Sequence, residues 1–182
     1  MRVDFDRQQP VDHALGRLTG DRNDADVDGL IPRIGETPVE LLINAHRTIS
    51  IDGARLHIIG TDNTGFRQNY ADLPRAVAGI EPGGECAQIL LAHDPTFWDR
   101  HVRPEYDDID LMLCGHTHGG QLCLPVKGAL VTNCDLDTGR AKGLHRHHGS
   151  WLHVSAGLGT SPYAPVRFAC RPEASLVTLT AR

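Results

Sequence analysis

No stretch of this chain stays apolar for the roughly 18 residues that a bilayer-spanning helix needs. The opening, "MRVDFDRQQPVDHALGR", lacks the apolar core of a signal peptide, so the sequence as it stands predicts a cytoplasmic chain. No C-x-x-C occurs among the five cysteines, Cys86, Cys114, Cys123, Cys134 and Cys170. That spacing and the odd count argue against a zinc ribbon or a disulfide framework. Basic charge is not in excess either. Lys and Arg total 18 against 23 Asp and Glu, a formal net charge of −5, which disfavours a nucleic-acid groove or an anionic membrane as the main partner. There is no internal repeat and no low-complexity tract.

What is present is a soluble composition, 40% hydrophobic and 23% charged, in 182 residues, enough for one domain with a sizeable core. The first 29 residues, rich in Asp and Arg without apolar periodicity, read as a polar arm carrying a short helix near 11–18. The domain proper spans 30–182. "VELLIN" (39–44) reads as a strand. "HRTISIDGARLHIIGTDN" (46–63) reads as a hairpin turning at Asp52-Gly53. "YADLPRAVAGI" (70–80) reads as a helix. "AQILLAH" (87–93) and "IDLMLCG" (109–115) are unbroken apolar runs that suit strands buried on both faces. Between them "DPTFWDRHV" (94–102) reads as a short helix with Asp94 as cap and Pro95 at its first position. "WLHVSAGLG" (151–159) and "ASLVTLTA" (174–181) complete a mixed α/β sheet.

Eleven histidines is the unusual count. Two buried strands end in one, at Leu91-Ala92-His93 and Cys114-Gly115-His116. In α/β sheets ligands collect at the carboxyl ends of strands. If the two strands are parallel neighbours, His93 and His116 converge on one rim. His118 follows two residues later. In an extended loop that spacing puts the imidazoles about 6–7 Å apart, wide for one ion and suited to two. Gly115, Gly119 and Gly120 free the backbone for close approach to a ligand. The plainer reading of any one such histidine is a hydrogen-bonded strand end. The histidines of "GLHRHHGSW" (143–151) read as a solvent-facing hairpin turning at His148-Gly149. Asp62 fits turn chemistry. Arg167 and Arg171 read as partners of Glu173 or solvent before substrate phosphate, and loop geometry accounts for Thr117 and Gln121.

"ILLAHDP" (89–95) followed by "DLMLCGHTHGGQLCLP" (110–125) resembles the C-terminal half of the calcineurin-like metallophosphoesterases. "HVSAGLGTSPYAPVRFACRPEASLVTL" (153–179) and "LLINAHRTISIDGARLHIIGTDN" (41–63) resemble the branch with GHTHGGQ and RPE segments. The resemblance covers about residues 30–182. It implies an α-β-β-α sandwich and hydrolysis of a phosphate mono- or diester at two divalent transition metals (Mn, Fe or Zn). It implies that His93 and His116 bind one metal and His118 the other. The family's N-terminal motifs, Asp-x-His, Gly-Asp-x-x-Asp and Gly-Asn-His-Asp/Glu, have no convincing match. Gly20-Asp21-x-x-Asp24 fits only formally, without a buried strand before it. The expectation is therefore a fold truncated at its N-terminus, with no catalytic residue assigned. It should bind at most one metal tightly and associate through an exposed sheet edge. The competing reading is a catalytically dead fragment that works as a binding module.

Overall fold

The structure is a computed structural model, and it describes residues 2–6, 27–63, 70–126, 129–132, 140–161 and 165–180. The expected helix near 11–18 lies outside the described residues.

A six-stranded sheet is built from β2 (Ala45–Ile51), β3 (Ala54–Gly60), β4 (Ala87–Leu91), β5 (Leu111–Cys114), β8 (Gly143–His147) and β9 (Ser150–Val154). Their spatial order is β2-β3-β4-β5-β9-β8. The four central strands run parallel, and β2 and β8 pair antiparallel at the two edges. This is the mixed α/β sheet that the order of elements implies. Both antiparallel edges come from hairpins. Asp52 (φ 50°) and Gly53 (φ 82°) form the first turn, the left-handed pair that a two-residue hairpin requires. His148 (φ 50°) and Gly149 turn the second.

The central strands bury both faces, which is why they read as unbroken apolar runs. On one face Ile59, Leu90, Met112, Cys114, Leu152 and Val154 meet Leu73 and Ala76 of α2 (Leu73–Ala76). The same layer holds Phe97, Trp98 and Val102, from a π-helical turn (Trp98–Val102) that runs into α3 (Arg103–Glu105). On the other face Ile89, Leu111, Leu56, Ile58, Leu113 and Trp151 meet Val177 and Leu179 of β10 (Leu176–Thr180). Strand β10 pairs antiparallel with β1 (Arg2–Asp6) in a separate two-stranded sheet. The layering is therefore helix, sheet, sheet. Burying each of the larger side chains here contributes about 1.5–3 kcal/mol. Two elements stand apart from these layers: α1 (Val27–Gly35), and a hairpin of β6 (Cys123–Val126) with β7 (Ala129–Thr132). No helix among the described residues is long and apolar enough to cross a membrane.

Three local readings change. Residues 39–44 are not a strand. Asn44 adopts φ 50°, and its side chain gathers the chain instead, donating to Tyr70 O and accepting from Asp62 N and Asp72 N. The Leu42 carbonyl lies so close over Gly60 that a Cβ there would collide with it. The helix expected over 70–80 contracts to one turn. Asp72 Oδ1 caps it at Arg75 N, and Gly79 at φ 89° ends the segment. Within the polar arm, Arg2–Asp6 is a strand and α1 begins at Val27, ahead of the expected boundary.

Candidate metal centre

Parallel pairing aligns the carboxyl ends of β3, β4, β5 and β9 along one rim. Backbone bonds stitch the outgoing loops together: Thr61 N to Leu91 O, Gly115 N to His93 O at 3.1 Å, and Ser155 N to Cys114 O. This is where His93 and His116 lie. Their rings sit edge to face with centroids 4.9 Å apart, and His116 Nδ1 is 3.0 Å from His93 Nε2. The convergence that the sequence required of neighbouring parallel strands is present.

His118 is placed differently from the sequence-based picture. The loop is not extended. His116 (φ 66°), His118 (φ 52°), Gly119 (φ 65°), Gly120 (φ 81°) and Gln121 (φ 49°) are all left-handed, and His118–Gly120 forms a tight helical turn. Three non-glycine residues in that region within six positions is an unusual concentration of strain, of a kind that collects at functional sites. Thr117 holds the turn from inside. Its buried hydroxyl donates to Ala141 O at 2.5 Å and accepts from Gly119 N at 3.2 Å. Gly119 cannot be replaced freely: a Cβ there would lie 2.7 Å from Cys170 Sγ and 2.9 Å from Ala156 Cβ. The Cys170 thiol in turn donates to Gly119 O at 3.1 Å.

His118 is half-buried. Its Nδ1 lies 3.2 Å from Gln121 Oε1. Loss of hydration from burial lowers its pKa, the Gln121 hydrogen bond pulls the other way, and the charges of Arg167 and His116 lower it further. His116 and His118 are thus close enough for their charges to interact. Even so, among the described residues no three His, Cys, Asp or Glu side chains come together closely enough to hold a metal ion. The structure brings His93 and His116 together as a pair and leaves His118 outside it.

The pair fits one small cation. Imidazole nitrogens bound to zinc at about 2.0–2.1 Å in tetrahedral array stand about 3.3 Å apart, close to the spacing seen. Without a metal the same spacing suits one N–H···N hydrogen bond, so a metal must displace that proton. Thr61 Oγ1, following β3 on this rim, is buried with no hydrogen-bond partner among the described residues. A dinuclear centre is not complete in the described residues, and Asp21 and Asp24 lie outside them.

The other candidates resolve as follows. Asp62 Oδ1 accepts from Asn63 N at 2.7 Å, which is turn chemistry. Arg171 is exposed. Arg167 differs from both earlier readings. Its guanidinium donates to His118 O (3.0 Å), Ala156 O (2.7 Å), Gly157 O (3.2 Å) and Gly159 O (2.5 Å), tying the loop after β9 to the histidine turn. Sequence reasoning missed this clamp. A run of carbonyls with no side chains to mark them leaves no pattern to read.

Comparison with known proteins follows the same lines. No protein-family model matches the chain. The phosphodiesterase YaeI of Escherichia coli is 31% identical over 156 residues, covering 80% of this chain and 51% of that protein. The uncharacterized metallophosphoesterases YkoQ and YkuE of Bacillus subtilis are 31% and 28% identical, covering 72% and 75% of this chain. The chain spans about half the length of these curated relatives, 46% and 45% for the last two. Among solved structures, the sulfate thiohydrolase SoxB of Thermus thermophilus overlaps 70% of this chain and 25% of its own, with 19% identity and a TM-score of 0.48, too loose a match to bear on function. The sequence relatives support a place for the chain in the metallophosphoesterase superfamily.

Proposed function

We propose that this chain carries the histidine half of a metal-dependent phosphoesterase site of the GHTHGGQ branch, acting on a phosphate mono- or diester. The observation that supports it best is the His93–His116 pair, 3.0 Å apart at the rim formed by β4 and β5, in a chain related to metallophosphoesterases. His93 and His116 would hold one divalent transition metal (Mn, Fe or Zn) and His118 would serve a second. Such metals supply Lewis acidity and a nucleophilic oxygen at neutral pH.

The chain's own residues do the placing. The Gly115 N–H to His93 O bond keeps the two histidine loops in register. Thr117, Arg167 and Cys170 hold the strained turn, so the imidazoles are positioned before any ligand arrives. A bridging carboxylate, an amide ligand and a leaving-group acid are expected from an N-terminal half that this chain does not match. Two cations without that carboxylate repel at close range, so we propose at most one tightly held metal.

The test is hydrolysis of bis(4-nitrophenyl) phosphate with added Mn²⁺, by the chain alone and by a version joined to an N-terminal segment carrying the acidic motifs. The chain alone should turn over weakly or not at all. The joined protein should be active, and His116→Ala or His118→Ala should abolish that activity. Brisk turnover by the short chain that survives both substitutions would end this reading. The second reading, a catalytically dead binding module, is favoured by the absence of a three-donor cluster among the described residues. It predicts that joining the acidic segment restores nothing.

A further inference from the structure

Gln121 is among the most buried polar residues of the chain, at 4% exposure. Its backbone is fixed on both sides: its N–H donates to His118 O at 3.1 Å and its carbonyl accepts from Phe168 N at 3.0 Å. Two contacts of its side-chain oxygen fix the amide's orientation. The Ser161 backbone N–H lies 2.7 Å from Oε1, and His118 Nδ1 lies 3.2 Å from the same atom.

These two contacts settle two assignments that geometry alone leaves open. A backbone N–H can only donate, so the atom facing Ser161 must be the amide oxygen and not the nitrogen. An amide oxygen can only accept, so His118 Nδ1 must carry a proton. A neutral imidazole has one N–H, and the second nitrogen, Nε2, then holds the lone pair. The sequence of constraints runs from Ser161 to Gln121 to His118. Arg167 and Cys170 also donate to the His118 carbonyl, so the backbone that carries the ring is held as well.

We propose that Gln121 is a positioning residue: its amide oxygen, oriented by the Ser161 N–H, holds His118 as the Nδ1–H tautomer and reserves Nε2 as donor to a divalent transition metal. The metal half of this statement rests on the function proposed above, and the tautomer half does not. Outer partners of metal-bound histidines act in this way, and removing one typically weakens binding about 10–100-fold.

The experiment uses the whole chain, labelled with ¹⁵N-histidine and freed of metal with a chelator. Long-range ¹H–¹⁵N correlation at mildly alkaline pH reads each ring nitrogen directly. His118 should show a protonated, pyrrole-type Nδ1 and a pyridine-type Nε2. In Gln121→Leu, which keeps bulk and removes the acceptor, His118 should shift toward the Nε2–H form. In Gln121→Glu, which keeps an oxygen in place, the wild-type tautomer should return. Addition of excess Zn²⁺ then supplies the second readout, at His118 itself: its Nε2 resonance should respond in the wild type and in Gln121→Glu and respond less in Gln121→Leu.

A wild-type His118 protonated on Nε2 overturns the proposal whatever the variants do, so a misfolded Gln121→Leu leaves it open to refutation. The wild-type tautomer as stated, with the His118 Nε2 resonance responding equally to Zn²⁺ in all three proteins, overturns the positioning role. No Zn²⁺ binding by the wild type, with the tautomer intact and responsive to Gln121, counts against the metal centre and leaves the Ser161–Gln121–His118 chain standing.

Discussion

Single residues carry most of what is testable at the rim. Gly119 sits at φ 65° with Cys170 Sγ and Ala156 Cβ where a side chain would go. Gly119→Ala should cost about 1–3 kcal/mol from strain and overpacking. Gly115→Ala meets nothing within 4 Å and should cost within about 0.5 kcal/mol, as a surface change does. Urea midpoints of the two variants decide this, and equal losses would mean the turn relaxes around the methyl. His153 gives a pH dependence. It lies on β9 among buried residues, and burial lowers its pKa, offset in part by Glu173. The unfolded chain therefore takes up this proton at higher pH than the folded one. The stabilising contribution is full above the unfolded value of about 6.5 and is lost as pH falls through and below it. Urea midpoints at about pH 8 and about pH 5.5 should differ more in the wild type than in His153→Leu. An unchanged difference would place the acid sensitivity elsewhere. The histidine positions were legible because a residue at the end of an apolar run is a sequence pattern. The Gln121 and Arg167 contacts were not, since both depend on loops far apart in sequence.

At the scale of elements, regular spacing was readable and its interruptions were not. The Asp52-Gly53 hairpin, the apolar β4 and β5 and the turn at His148 all followed from local pattern. Residues 39–44 had the composition of a strand, yet Asn44 spends its side chain on Tyr70, Asp62 and Asp72, and the close pass of Leu42 over Gly60 replaces a ladder. Such a choice is tertiary and leaves no local trace. Arg167 shows what a loop-to-loop connection does. It ties 156–159 to His118, and Arg167→Lys keeps the charge but loses the planar fork that reaches several carbonyls at once. We expect a loss of about 2 kcal/mol in stability and faster amide exchange at 156–159. Unchanged exchange there would show that the loop is held by packing alone.

The whole molecule has a six-stranded sheet with a hairpin strand at each edge and a second sheet of only two strands, β1 and β10, packed across one face. Both outer edges of that small sheet are unpaired among the described residues, and Leu176 on β10 is 54% exposed. Unpaired edges invite association, so light scattering on the purified chain should show mass rising with concentration. A monomer of constant mass at high concentration would mean the edges are covered. The mixed sheet was foreseeable from element order. The face-to-face packing of β10 was foreseeable only through the family resemblance, because nothing in "ASLVTLTA" says which sheet it joins. The central claim is that His93 and His116 are a metal-binding pair on a preformed rim. The most direct measurement is metal content after loading with Zn²⁺ and exhaustive dialysis, for wild type, His93→Ala and His116→Ala. We predict no more than one equivalent retained by the wild type and essentially none by either variant. Two retained equivalents, or retention unchanged by both substitutions, would contradict it.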